Sequence, residues 1–175
     1  YNGKAILILS HGVGSAGAAI AFQEAIDLGA KAIIRVGTAG ALQEHFPIGG
    51  IAISKGAIRN DGVSALMIPV AYPAVPDLEL TINLEKNAKA AVQKLKAVTE
   101  IVSGITLTSD MFYPGVIESD LKVYSKAGAV AVEMEASTLF IIGQLRNVKT
   151  AALFAVDGNP LFWEEGKYAP GSTAV

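Results

Sequence analysis

Two carboxylates on either side of a methionine, Glu133 and Glu135, stand between an apolar run and a helix-forming run. If the chain is extended there, both side chains point to one face, because strand side chains alternate. If it is already helical, they lie about 200° apart and one of them must turn inward. Burying such an acid is costly unless it is hydrogen-bonded, so the segment predicts a ligand or an internal partner. An acid in the first turn of a helix, stabilised by the helix dipole, is the alternative interpretation.

An arginine inside an apolar strand, Arg35 in the run 32–36, is equally unusual. A guanidinium is rarely buried without an anionic partner, because its desolvation is expensive. Small residues follow at 37–40, so backbone N–H groups can approach a ligand there, and Thr38 adds a hydroxyl. We predict an anion site formed by Arg35 and the Thr38 region. A structural salt bridge of Arg35 is the alternative.

Polar or aromatic side chains lie at the ends of four of the predicted strands, at His11, Arg35, 110–113 and Asp157. In open α/β sheets, ligands bind outside the carboxyl ends of the strands. These positions therefore predict a single ligand site at one edge of a sheet. The two aromatics in 110–113 lie beside a Pro-Gly turn and could stack on a planar ligand. They could equally be core aromatics.

The elements that would position these side chains follow from apolar runs and their glycine and proline breaks, which predict an α/β fold. Residues 61–77 hold three prolines and little periodicity, which favours a long loop that acts as a lid or a subunit contact. Strands are predicted at 5–9, 32–36, 50–54, 100–107 and 150–156, and helices at 15–28, 80–95, 121–127 and 138–145.

A glycine motif at 12–17 matches the G-x-G-x-x-G pattern of dinucleotide-binding folds, after a strand and before a helix. Those folds need an acid at the end of the next strand to bind the ribose hydroxyls. The next strand offers Arg35 instead, which counts against NAD but could meet a 2′-phosphate. Close packing of strand against helix is the conservative explanation of the glycines.

The composition excludes several classes of protein. The chain has 175 residues, suits one domain, carries a net charge of −2 and has no basic cluster, so nucleic acid is not an expected partner. It has no cysteine, which excludes a disulfide scaffold or a thiolate metal site and fits a reducing compartment. Residues 5–23 lack Asp, Glu, Lys and Arg, but Ser10, His11 and Gly12 interrupt them, so we predict no membrane span.

Five motifs together resemble the nucleoside phosphorylase family, in particular its hexameric branch of purine nucleoside and uridine phosphorylases. They occur in the order typical of that family and extend over nearly the whole chain. The last of them is most similar to apicomplexan members. The motifs are Ser10-His11-Gly12-Val13-Gly14, Ile34–Gly40, Ser109–Gly115, Val132–Glu135 and Val156-Asp157-Gly158 with its continuation to Gly166.

The resemblance implies a single-domain, three-layer α/β/α fold over residues 1–175, with a central mixed and largely parallel sheet. It implies phosphorolysis of a nucleoside to a free base and ribose 1-phosphate. Phosphate is then a co-substrate, and no metal or other cofactor is expected. The implied roles are phosphate binding by Arg35 and Thr38, ribose binding by Met134 and Glu135, base binding by Phe112, Val132, Glu133, Pro160 and Trp163, and proton donation to the purine N7 by Asp157.

The residues suit that chemistry. Glycosidic cleavage passes through an oxocarbenium-like state, for which a phosphate held by Arg35 is both counter-charge and nucleophile. The leaving purine needs a proton, and burial at an apolar strand end would raise the pKa of Asp157 toward that task. Uridine phosphorylases of this family carry a Gln-x-Arg element where this chain has 116–118, Val-Ile-Glu, so a purine is favoured. Uridine or broad specificity, an NADP-binding oxidoreductase and a non-catalytic nucleoside-binding domain are the alternatives.

Some of the family's pattern has no counterpart between Tyr1 and Val175. An upstream glycine-rich phosphate loop, a second phosphate arginine, a histidine and an arginine from the neighbouring subunit, and a closing C-terminal helix are expected outside this stretch. The resemblance also implies a homo-oligomer, a hexamer built as a trimer of dimers, and a cytoplasmic location. The apolar segment 63–75 makes a subunit interface plausible.

Overall fold

The computed structural model describes residues 3–165, with side chains as far as Phe162. The strands are β1 (Ala32–Ala41), β2 (Ile51–Asn60), β3 (Ile101–Ser109), β4 (Ala131–Glu133) and β5 (Lys149–Gly158). The helices are α1 (Ser15–Asp27), α2 (Gly62–Met67), α3 (Leu78–Leu95), α4 (Leu121–Lys126) and α5 (Ala136–Arg146), and a 3-10 helix covers Pro160–Glu165.

The five strands form one mixed sheet in the order β1-β4-β3-β2-β5, and β5 pairs again with β1, so the sheet closes. The long pairings of β1 with β5 and of β2 with β3 are parallel, whereas β1–β4 and β2–β5 are short and antiparallel. Helices α3 and α5 both contact β2, β3 and β5, while α1 and α2 pack on α5. The predicted single-domain α/β fold with a mixed, largely parallel sheet is confirmed, and its closure is a feature that the sequence did not predict.

Helix α5 is the centre of the core. Its residues 136–143 are all buried, which fits an apolar helix that lacks a polar face. Leu139 and Phe140 join Phe154 of β5 and Phe22 of α1 in one cluster. Because α5 begins directly after Glu135, this packing fixes the position of the acidic segment.

The predicted strand at 5–9 is wrong in this structure. Residues 5–9 have no regular secondary structure, and all of them are exposed, Ile8 to 91%. An apolar strand needs a partner edge and covered faces. Among the described residues, no strand pairs with this run.

Two predicted strands are longer than expected. β1 continues through the small residues 37–40, which pair with β5 and β4 instead of forming a loop. β2 begins at Ile51 and runs to Asn60, beyond the predicted 50–54, so Lys55 and Arg59 lie within the strand. Exposed polar side chains are compatible with a strand that has only one buried face, and this is why the boundary was misplaced.

The predicted loop over 61–77 contains helix α2, whose start is capped by Asp61. The rest of the segment is held by Arg59, whose guanidinium donates hydrogen bonds to the carbonyls of Ser64, Ile68 and Pro69 at 2.6–2.8 Å, and to that of Tyr72. These bonds satisfy carbonyls at the end of α2, which a short helix leaves without partners. The segment is therefore an ordered part of the fold.

Asp61 joins this segment to the start of α5. It is buried and accepts bonds from the backbone N–H and hydroxyl of Ser64, both at 2.7 Å, from Thr138 at 2.9 Å and from Ser137. Burial alone would raise the pKa of Asp61, but the hydrogen bonds together outweigh it and hold that pKa below its ordinary value.

We expect Asp61→Ala to lower the free energy of unfolding by about 1–3 kcal/mol, because it removes a helix cap and leaves buried hydroxyls without a partner. Since the folded pKa of Asp61 is depressed, its contribution is full above its unfolded pKa of about 3.9 and is lost as the pH falls through the folded value. Urea unfolding at several pH values measures both effects. Asp77→Ala, which removes a less buried cap from α3, is the matched control, and an equal loss in both variants would contradict this role of Asp61.

Candidate functional site

Arg35 lies between the two acids that flank Met134. Its side chain is 8% exposed, its Nη2 donates to Glu135, and its Nη1 lies 3.4 Å from Glu133 Oε2. The guanidinium carbon also lies 4.8 Å from the centroid of the Phe154 ring, a cation–π contact. Arg35 therefore forms the internal salt bridge that was the alternative interpretation of the sequence. The anion site was predicted at the same place.

Glu133 ends β4 and caps the helix that follows. Its carboxylate accepts hydrogen bonds from the backbone N–H groups of Glu135 and Ala136 at 2.8–3.0 Å and from the Thr108 hydroxyl at 2.6 Å. Complete burial raises the pKa of Glu133, and Arg35 and these hydrogen bonds oppose that rise. The sequence left an extended and a helical conformation open for this segment, and in the structure Glu133 is the last residue of β4, just before α5 begins at Ala136.

The Glu135 carboxylate is buried and has two hydrogen-bond partners, both distant in sequence. One carboxylate oxygen accepts from Arg35, and the other accepts from the backbone N–H of Gly14 at 2.5 Å. The glycine motif can present that N–H because Gly12 and Gly14 both have positive φ values, of 73° and 92°. The Ser15 hydroxyl donates to the carbonyl of Met134 at 2.9 Å and ties the same turn to the acidic segment.

Gly37 leaves room for the Arg35 guanidinium. A Cβ at residue 37 would lie 2.9 Å from Nη1 of Arg35 and 3.1 Å from its Cζ, closer than real Cβ atoms come to a neighbour without displacing it. The guanidinium therefore lies against the bare backbone of β1. This glycine is needed for space and not for a turn.

Asp157 lies near the end of β5, beside Thr38 of β1. Thr38 lies close enough to the Asp157 carboxylate for its hydroxyl, as a donor, to favour the charged form. Desolvation is the larger effect, so the pKa of Asp157 is raised above its ordinary value, as predicted for a proton donor at this strand end. The parallel pairing skips Asp157, because Ala39 faces Val156 and Gly40 faces Gly158. This is a β-bulge, and such bulges re-aim a side chain.

Val132 and Pro160, both predicted to contact a base, lie on either side of Gly40. A Cβ on Gly40 would lie 2.7 Å from Cδ of Pro160 and 3.4 Å from Cγ1 of Val132. Leu161 packs next to Val132 in a small apolar cluster, which holds the 3-10 helix against the sheet. Val132 and Pro160 therefore form an apolar wall around Gly40.

The other predicted site residues are placed less closely. Met134 is half-buried between the two acids, with its backbone fixed by Ser15. Phe112 lies in the loop after β3, is about half exposed and meets Tyr113 edge to face, with ring centroids 5.0 Å apart. The side chain of Trp163 lies outside the described residues.

The structure thus brings the predicted residues together in two groups. Arg35, Glu133 and Glu135 form one, and Thr38 and Asp157 form the other. Arg35 and Thr38 are three residues apart in β1, so their side chains point to opposite faces, and Arg35 is buried while Thr38 is exposed. Three strand residues span about 10 Å, so the groups occupy successive positions along one strand. A shared contact of Arg35 and Thr38 with one phosphate stays a prediction.

The sequence interpretation missed three members of this arrangement. Thr108 donates to Glu133, the backbone N–H of Gly14 binds Glu135, and Gly37 admits the guanidinium. The glycine motif was interpreted as a weak dinucleotide-binding pattern or as close packing of strand against helix, and neither interpretation predicts a backbone N–H that binds Glu135. Thr108 gave no signal, because a threonine at a strand end is common.

The chain is a member of the phosphorylase superfamily, and the model of that family matches residues 1–170. It is 47% identical over 170 residues to a purine nucleoside phosphorylase of Plasmodium vivax, which covers 96% of this chain and 67% of the relative. A crystal structure of purine nucleoside phosphorylase from Toxoplasma gondii in complex with immucillin-H superposes with a TM-score of 0.84 at 35% identity, covering 94% of this chain and 64% of that one. A uridine phosphorylase of Haemophilus influenzae is 36% identical over 152 residues, 79% of this chain and 58% of the relative.

The chain therefore spans 58–67% of the length of these proteins. Among residues 3–165, no helix is long and apolar enough to cross a membrane.

We expect Gly37→Ala to lower the free energy of unfolding by about 1–3 kcal/mol, because the added methyl group pushes the Arg35 guanidinium away from its two acids. Urea denaturation measures the change. Gly115→Ala is the matched control, because a Cβ there meets no atom within 4 Å. If both substitutions are equally harmless, the guanidinium does not depend on the bare backbone at Gly37.

Proposed function

We propose that this protein cleaves purine nucleosides with inorganic phosphate, giving a free base and ribose 1-phosphate. The observation that carries the proposal is that one strand, β1, holds a buried arginine paired with Glu135 and, three residues further on, Thr38, which lies beside a half-buried aspartate of β5, Asp157, whose pKa is raised. Family membership and the 47% identity to a purine nucleoside phosphorylase support it. Inorganic phosphate is the co-substrate, and we propose no metal or organic cofactor.

Arg35 is the phosphate-binding group in this proposal. Its Nε and Nη1 are buried and have no hydrogen-bond acceptor among the described residues. Unsatisfied guanidinium donors are costly, and a bidentate oxyanion is the ligand that suits them. A phosphate bound there is the nucleophile, and its charge also stabilises the cationic sugar of the transition state. Thr38 is the second phosphate ligand that family resemblance suggests.

Glu135 binds the sugar and Met134 lies against it. A buried carboxylate is a strong acceptor for a ribose hydroxyl, and the sugar lies next to the phosphate that attacks it. Glu133, in contrast, uses its carboxylate to cap α5 and to hold Arg35. We propose that Glu133 positions these two groups, and its predicted contact with the base stays a prediction.

Asp157 protonates the departing base. A general acid must be protonated when it acts, and the raised pKa of Asp157 increases that fraction near neutral pH. The planar base packs against the apolar wall of Val132 and Pro160. Phe112, from the loop after β3, and Trp163, from the 3-10 helix, also contact the base. Proton donor and nucleophile then act on opposite sides of the glycosidic bond.

A purine is the favoured base. Asp157 suits the N7 atom of a purine, and the segment after Gly115 lacks the Gln-x-Arg element of uridine phosphorylases. The more similar relative named above is a purine enzyme, and the uridine phosphorylase is the more distant one. We infer inosine and guanosine as substrates, with uridine as the weaker alternative.

The proposed setting is a cytoplasmic homo-oligomer, a hexamer arranged as a trimer of dimers. The absence of cysteine fits a reducing compartment. A non-catalytic nucleoside-binding domain is the alternative of another class, and it predicts binding of inosine without release of hypoxanthine.

We expect Asp157→Asn to reduce kcat for inosine phosphorolysis by about 10²–10⁴-fold, because the amide cannot donate the proton that the leaving base needs. A xanthine-oxidase-coupled assay of hypoxanthine release measures it. Asp27→Asn, at the exposed end of α1, controls for the loss of a charge. Normal turnover of Asp157→Asn would exclude Asp157 as the acid, and no turnover of the unaltered protein would exclude the enzyme.

The pH dependence of kcat tests the interaction between Thr38 and Asp157. The acid loses its proton as the pH rises through its pKa, so kcat falls on the alkaline side. Because the Thr38 hydroxyl stabilises the carboxylate, we expect Thr38→Val to raise the pKa of Asp157 and to move this alkaline limb to higher pH. Thr38→Ser keeps a hydroxyl and should keep the limb near its original position. A limb that moves to lower pH in the valine variant would contradict the assignment.

A further inference from the structure

The Glu135 carboxylate has the partners that an oxyanion ligand would have. One oxygen accepts from the Arg35 guanidinium and the other from the backbone N–H of the glycine turn at Gly14. Guanidinium groups and backbone N–H groups in glycine turns are the donors that proteins use to bind phosphate. A side chain of the protein thus occupies a site whose donors suit a phosphate.

We propose that Glu135 is a built-in occupant of the phosphate site, which inorganic phosphate must displace, and that its release couples phosphate binding to nucleoside binding. This inference rests on the proposed function. It adds an order to the two substrates: phosphate prepares the sugar site.

Of the two acids beside Arg35, only Glu135 is free to move. Glu133 accepts three bonds that do not involve Arg35, from the Thr108 hydroxyl and from two N–H groups at the start of α5. Removing it from that position would break the helix cap and leave those donors without partners. Glu135 has only Arg35 and Gly14 as hydrogen-bond partners for its carboxylate in the part of the chain that is described.

The charges around Arg35 also require that phosphate replace Glu135. Arg35 is a single cation already placed between two buried carboxylates. A phosphate that bound Arg35 while Glu135 stayed in place would add at least one more negative charge to a region shielded from water, where like charges repel strongly. If Glu135 swings away as the phosphate enters, the number of anions in contact with the guanidinium stays at two.

The displaced carboxylate needs a new donor, and a ribose 2′-hydroxyl supplies one. Without phosphate, Glu135 must leave Arg35 before it can bind the sugar, and that cost weakens nucleoside binding. With phosphate bound, the cost has already been met. By linkage, the factor by which phosphate tightens nucleoside binding equals the factor by which the nucleoside tightens phosphate binding.

Isothermal titration of the full chain tests the displacement directly, with inorganic phosphate as the probe and no nucleoside present. We expect Glu135→Gln to bind phosphate about tenfold more tightly than the unaltered protein, because a neutral amide competes poorly for Arg35. Glu24→Gln, an exposed change on α1, should leave phosphate affinity unchanged. Phosphate affinity that is unchanged or weaker in Glu135→Gln would overturn the displacement.

The coupling is tested on the unaltered protein, which avoids any folding defect of the variant. The probe is a C-nucleoside analogue of inosine, whose carbon–carbon bond to the sugar cannot be cleaved. We expect saturating phosphate to tighten its binding about tenfold, and to have no such effect on the 2′-deoxy form, which lacks the hydroxyl that Glu135 would accept. Because both analogues are neutral, a general electrostatic effect of phosphate would not distinguish them. Equal tightening of both analogues, or of neither, would overturn the coupling.

Failure of this inference and failure of the proposed function give different results. If inosine is cleaved but Glu135→Gln does not strengthen phosphate binding, the enzyme stands and the displacement falls. If phosphate binding behaves as expected but hypoxanthine is never released, the displacement stands and the proposed phosphorolysis falls.

Discussion

The burial of one guanidinium between two carboxylates is the constraint on which this structure depends. Removing one member of such a group leaves a buried charge without a partner, which typically costs about 3–5 kcal/mol. Arg35 comes from β1, and the two acids come from the point where β4 gives way to α5. One electrostatic group therefore sets the distance between the sheet and the helix that fills the core. The same group leaves guanidinium donors open, which is a poor choice for stability alone and a good one for binding an anion.

The start of α5 is where fold and site meet. Glu133 caps it from the strand side, while Asp61 accepts bonds from Ser137 and Thr138 in its first turn. Buried polar groups are thus satisfied on two sides of a helix whose body is apolar. The body of the helix therefore anchors the core, while its first residues lie at the candidate site. Rigid support of this kind is what a binding group needs in order to keep its geometry.

Much of the fold and of the candidate site could be predicted from the sequence. The strongest signals were charged residues within apolar runs or next to them. An arginine in an apolar strand and an acid pair before an apolar run predicted contacts that the structure shows, and the alternation of apolar runs predicted the α/β class. Residues 5–9 were misassigned because an apolar run of isoleucine and leucine does not show whether it pairs with another strand. Helix α2 was missed because the three prolines that follow it, at 69, 73 and 76, outweighed the Asp61 cap in a local interpretation. The roles of Gly37 and of the Gly14 N–H depend on contacts distant in sequence, which no local pattern contains.

The bulge in β5 at Asp157 has a consequence for how this edge of the sheet could change. Asp157 is one additional residue in β5 and has no partner in β1, whereas Gly158 pairs with Gly40. The residues after Asp157 are therefore displaced by one position along β1. A deletion at residue 157 would straighten the ladder but draw the 3-10 helix back by about 3 Å and rotate its attachment to the other face. A point substitution of Asp157 leaves that geometry intact. Variation that retains the fold is therefore confined to exchanging the side chain at this position, and the length of the strand is not free to vary.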